Sequence, residues 1–110
     1  MADRRTKNYN YGTTAIIVPK LRNVNTGEYE QPDTFTVVLK KGSTTIDTWV
    51  AGVDDEIVEV LDDSSAFKFY QIYIDTELFL EPCEAVVTMT AEYNTTPEQT
   101  IVGKARLIIS

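Results

Sequence analysis

Ten consecutive residues, Glu84 to Tyr93, switch character at every step: Ala85, Val87, Met89, Ala91 and Tyr93 face one way, Val86, Thr88, Thr90 and Glu92 the other. Only a β-strand places alternate side chains on opposite faces; a helix would scatter this set around its axis. The final segment, Gln99 to Ile109, repeats the pattern with Ile101, Gly103, Ala105, Leu107 and Ile109 against Val102, Lys104, Arg106 and Ile108. Five earlier segments rich in Val, Ile, Thr, Tyr and Phe predict further strands over 13–18, 34–39, 44–50, 56–61 and 67–75. No stretch carries a sustained helical period, and residues 76–82 could form one helical turn at most, closed by Pro82.

Turn chemistry punctuates these segments. Pro19 closes the first, and a long polar connection follows, with a turn at Asn25 to Gly27. Gly42 supplies the positive φ that a hairpin between the second and third strands requires. Gly52 to Asp55 and Asn94 to Glu98, the latter containing Pro97, read as turns, and the side chains of Asp62 to Ser65 compete for backbone bonds and favour a loop. At 110 residues there is one core to build. About seven strands, none able to bury itself, predict an all-β, antiparallel two-sheet sandwich, with a small barrel as the competing closure. The emphatic segment Phe67 to Asp75 is apolar on both faces, as expected of a strand covered on both sides or lying against a partner. Trp49, in the third of these strands, resembles the buried tryptophan of immunoglobulin domains in its layout, although the flanking cysteine pair is absent.

Little here can do chemistry. The chain has no histidine, which removes Ser-His-Asp and Cys-His arrangements and histidine zinc sites. Its one cysteine, Cys83, cannot form an internal disulfide and sits in the acidic run Glu81-Pro82-Cys83-Glu84, which disfavours a thiolate. Asp54-Asp55-Glu56 and Asp62-Asp63 could be imagined on calcium, but they lack the spacing of a calcium loop and suit turns better. Paired-carboxylate glycosidase chemistry needs a cleft that so small a sandwich has little room for. Asn94-Thr95-Thr96 matches a glycosylation sequon and reads as a turn. The expectation is therefore no enzyme: no catalytic residues, no metal and no cofactor.

Charge narrows the partners. Eleven of the seventeen acids fall between Asp47 and Glu84, where Lys68 is the only base. A net charge of -7 argues against nucleic acid, whose phosphates demand Lys and Arg. The run Ala15-Ile16-Ile17-Val18 is far too short to span a bilayer, and the N-terminus lacks the apolar stretch of an export signal, so neither membrane nor secretion is expected and synthesis is expected in the cytoplasm. The acidic surface is either a solvated rim or a match for a basic patch on a protein.

Residues 1–11 stand apart from the domain expected over 12–110. They form a polar arm with Arg4, Arg5 and Lys7 against Asp3, with Tyr9 and Tyr11, and without a strand pattern. Such an arm becomes ordered only against something: its own sandwich or, as this reading prefers, a neighbouring chain, with tyrosines as rigid contacts and arginines pairing acids. Phe67, Phe69 and Tyr73 are the apolar face expected to meet a partner.

Basic aromatic arm, compact strands to Ile109, acidic loops and missing catalytic apparatus together resemble the small immunoglobulin-like β-sandwich structural proteins of tailed-bacteriophage virions: decoration, connector or baseplate components. The resemblance implies a capsid or tail protein made in the host cytoplasm. It also implies protein–protein interaction with other structural subunits, self-association included. The competing expectation is a binding module for carbohydrate or a cell-surface ligand, with Tyr70, Tyr73 or Trp49 as its aromatic contacts.

Overall fold

Among the described residues eight strands form, seven where the alternation predicts them and one in addition. In chain order they are β1 (Arg5–Tyr9), β2 (Thr14–Ile17), β3 (Thr34–Lys41), β4 (Thr44–Val50), β5 (Ile57–Leu61), β6 (Phe67–Asp75), β7 (Cys83–Tyr93) and β8 (Gln99–Ile109). The computed structural model describes residues 5–21, 30–94 and 98–110, and the side chain of Arg5 lies outside that description. Arg4, the turn expected at Asn25 to Gly27, and Pro97 with most of the sequon after Asn94 lie outside the described residues.

The strands make an all-β protein of two packed sheets: a larger one in the order β1-β8-β7-β3-β4 and a smaller one in the order β2-β6-β5. Every pairing is antiparallel except β1 on β8. In β7 the alternate residues Ala85, Val87, Met89, Ala91 and Tyr93 are buried, as are Ala105, Leu107 and Ile109 of β8. They meet Ala15, Ile17, Ile72 and Ile74 of the small sheet in one core. Phe35 of β3 stacks on Tyr70 of β6 across the layers, ring centres 4.8 Å apart. Offset aromatic pairs of this kind add to the burial they bring.

Between β6 and β7 the expected helical turn is a short 3-10 segment, Thr76–Phe79. Leu80, at φ 70, ends it in the left-handed region before Pro82 is reached. Gly42 does sit at positive φ, 64°, in the β3–β4 hairpin. Trp49 is buried, but it lies on the fourth strand, opposite Val37. The strand it sits on is fourth because the N-terminal arm contributes a strand of its own.

That strand corrects the reading of the arm as a segment without strand character. Arg5 to Tyr9 lies alongside Ala105 to Ile109 in parallel register. An edge strand is recruited by backbone bonds, so its side chains need no apolar alternation. The ladder continues past the strand, with the Ser110 N–H donating to the Tyr9 carbonyl at 3.0 Å and the Tyr11 N–H to the Ser110 carbonyl at 2.7 Å. Thr76, fully buried, ties the following turn down. The Gly12 N–H donates to its hydroxyl oxygen at 2.8 Å, and the hydroxyl donates to the Thr13 carbonyl at 2.7 Å. Described residues of the arm therefore rest on their own domain rather than extending from it.

Candidate docking surface

The inner face of β6 (Tyr70, Ile72 and Ile74) is buried, which turns Phe69, Gln71 and Tyr73 to the outside. On the flanking strands the register sets Ile16 beside Tyr73, Val58 beside Gln71 and Val60 beside Phe69. The outer face of the small sheet is thus a row of Ile16, Val58, Val60, Phe69 and Tyr73 with Gln71 among them, and Val18 follows at its end. Ile16 is 42% exposed, Val18 41% and Val58 38%. Contiguous apolar surface of this kind marks an interaction site more often than scattered exposed residues do.

Of the three aromatics expected to form a contact face, the structure brings two together. Phe69 and Tyr73 lie on the outer face, the Tyr73 hydroxyl donating to Gln71 Oε1 at 2.8 Å. Phe67, at the start of the strand, instead packs against the core, edge-on to Tyr70 with centres 5.0 Å apart. Its pairing with Leu61 follows a bulge after Val60 that breaks the alternation. Phe67 and Phe69 also line a recess of about 320 Å³ with Val18, Pro19, Lys20, Leu21 and Lys68. The Lys68 ammonium stands 5.8 Å from the Phe69 ring centre. An apolar socket with a cationic rim beside an apolar face suits an anchoring side chain.

The N-terminal residues fare differently. Lys7 is exposed on β1. Tyr9 and Tyr11 are half-buried against the core rather than presented outward. The Tyr9 hydroxyl donates to the Ile16 carbonyl at 3.2 Å, clasping the large sheet's β1 to the small sheet's β2. Trp49 and Tyr70, named as aromatics for a carbohydrate, are 2% and 5% exposed and belong to the core. Sequence reasoning missed Ile16, Val18, Val58 and Val60 as surface. The signal was available: Ala15 to Val18 and Ile57-Val58 are apolar on consecutive residues, so one of each neighbouring pair had to face outward.

Two acids of the turns, Asp54 and Asp62, are engaged locally. Asp62 Oδ1 accepts from the Ser64 N–H, the Ser64 hydroxyl and the Ala66 N–H at 2.9, 2.8 and 3.0 Å, and these bonds hold its carboxyl below the ordinary carboxylate range. Asp54 Oδ2 accepts from the Val50 N–H at 2.8 Å. Cys83 is half-buried at the start of β7, and burial raises its thiol above the ordinary value. Lys41 and Glu81 form an exposed pair at 2.7 Å.

Fold and surface together define an all-β two-sheet domain with a mixed outer face on the large sheet and a more apolar one on the small sheet. Comparison with known proteins adds no relative: no family model matches the sequence, and no match to a curated protein was found.

Proposed function

We propose that this chain is a non-enzymatic structural protein, a virion component that docks on a larger protein assembly through the outer face of its small sheet and its N-terminal strand. The observation that carries the reading is the outward row of exposed Ile16 and Val58 with half-buried Val60, Phe69 and Tyr73, on a domain whose inner faces already complete a core. A strand apolar on both faces is what a sheet covered on both sides requires. The acidic turns around this face favour a protein partner with a basic rim. The strand order supports an immunoglobulin-like arrangement: β8, β7, β3 and β4 follow one another as G, F, C and C′ do, and β2, β6 and β5 as B, E and D do. Such sandwiches serve as spacers and adhesive modules far more readily than as catalysts, and the half-buried Cys83 and the engaged Asp54 and Asp62 offer no activated group to a substrate.

Site-specific crosslinking tests this reading. A photoreactive side chain placed at Val58 in the producing cells should capture one structural protein of an assembled particle, identified by mass spectrometry. The same side chain at Thr90, on the outer face of the large sheet, should not. Equal capture at both positions, or none at Val58, rejects the reading.

A further inference from the structure

A sheet edge presents backbone N–H and C=O groups that can accept another strand unless something occupies them. The four edges of this molecule differ in how they are occupied. At β4 the ladder to β3 runs through Val37–Trp49 and Leu39–Asp47, since the Ala51 N–H bonds the Phe35 carbonyl; Thr48 and Val50 therefore point outward. Both are capped by carboxylates: the Thr48 N–H donates to Asp47 Oδ1 and the Val50 N–H to Asp54 Oδ2, each at 2.8 Å. The Val50 carbonyl accepts from Val53 and Asp54. At β2 the outward carbonyl of Ile16 takes the Tyr9 hydroxyl.

The remaining two edges are open at their central residues among the described ones, although at the start of β5 the outward Ile57 N–H donates to the Asp54 carbonyl at 3.3 Å. On β5, the bond from the Tyr73 N–H to the Glu56 carbonyl fixes which residues face β6 and leaves Glu59 pointing outward. On β1, the bonds of Tyr9 and Tyr11 to Ser110 turn Thr6 and Asn8 outward. These two open edges bear opposite charge. Strand β1 carries Arg5 and Lys7, with Arg4 adjoining in sequence; β5 carries Glu59, flanked by Asp55, Glu56, Asp62 and Asp63.

We propose that the open β1 edge of one copy adds to the open β5 edge of a second copy, in parallel. In a parallel pair, a residue whose backbone points outward lies across from one whose backbone points away and bonds to its two neighbours. Glu59 then bonds Thr6 and Asn8 and lies across from Lys7 on the same face. In this register the 47%-exposed Leu61 comes beside Tyr9. Like pairs are disfavoured, because β5 against β5 opposes acids and β1 against β1 opposes bases. The contact joins two different patches head to tail, so it builds a ring or an open chain rather than a two-fold dimer. It deepens the assembly reading and rests on it for the crowding of copies that a five-residue ladder needs.

Sedimentation velocity over about 10 µM to about 1 mM reads the association directly, since an interface this small is expected to be weak. Wild-type mass should rise past that of a dimer. Glu59→Pro removes the outward N–H without touching the β5–β6 ladder and should leave a monomer with unchanged melting. Lys7→Glu and Glu59→Lys should each shift association at least about tenfold to higher concentration. Mixed together they should associate again, because the acidic β1 of one then meets the basic β5 of the other. Wild type that stays monomeric at about 1 mM overturns the proposal, as do single-charge variants that associate like wild type or a mixture that does not recover. Crosslinking from Val58 reads the outer face, not this edge, so it can succeed or fail independently.

Discussion

The two sheets share a core and differ in what they show to the outside. The large sheet's outer rows mix polar and apolar residues: Thr36 lies across from Thr90, Thr88 across from Lys104, Thr34 donates to Glu92 at 2.7 Å, and Val50 and Val102 are exposed among them. Arg106 stands 3.4 Å from Glu84 on the same face. The small sheet shows valine, isoleucine, phenylalanine and tyrosine. One face intersperses its valines among threonines and charged residues, while the other sets aliphatic and aromatic side chains side by side. The lesson is that apolar and aromatic residues set side by side beyond the need of the core locate the contact surface better than any single exposed valine does.

Four measurements would break or sharpen this contrast. The largest effect concerns the shared core: Phe35→Ala removes the ring stacked on Tyr70 and should cost about 3–5 kcal/mol in urea unfolding. A loss near zero would mean that the two sheets do not close on each other there. Next, Thr76→Val strands the Gly12 N–H and should cost about 1–3 kcal/mol, with faster amide exchange over β1 than over β7. Third, burial pushes the Tyr93 phenol up to about 12, and its hydroxyl donates to the Glu30 carbonyl at 2.7 Å. An unfolded tyrosine ionises near pH 10. The folded chain therefore holds a proton that the unfolded chain loses, and the associated stability is present below about pH 10 and lost as pH rises through about 12. Melting temperature should fall across that window, and Tyr93→Phe should flatten the fall. The smallest expected effect is also the most telling about the faces. Val58→Thr on the small sheet should change stability by less than about 0.5–1 kcal/mol. A large loss would show that the outer apolar row is structural.

Most of the architecture was legible because alternation is a strong signal when one face is buried. Strands β4, β6 and β8 begin and end where their residues predict, and Gly42 turns the hairpin as its freedom from a Cβ allows. Strand β1 was illegible for a physical reason: its pairing is made by backbone groups to a segment about a hundred residues away, and its polar side chains carry no periodic trace of it. The contact face was half legible. Phe69 and Tyr73 follow from the two-faced apolarity of β6, whereas Phe67 turns inward at a bulge that no residue type announces. Tyr9 and Tyr11 read as outward contacts because a tyrosine's hydroxyl does not reveal whether it will meet solvent, a partner or, as here for Tyr9, a carbonyl of the neighbouring sheet.

The parallel union of β1 with β8 has a temporal consequence. Arg5 to Tyr9 leave the ribosome early, yet the strand that receives them, around Ala105 to Ile109, is made last among the described elements. Until β8 is made that basic stretch has no ladder to join, and closing so long a loop slows its capture. The border of the large sheet is thus sealed late, and until it is sealed the Tyr9 clasp on β2 cannot close either.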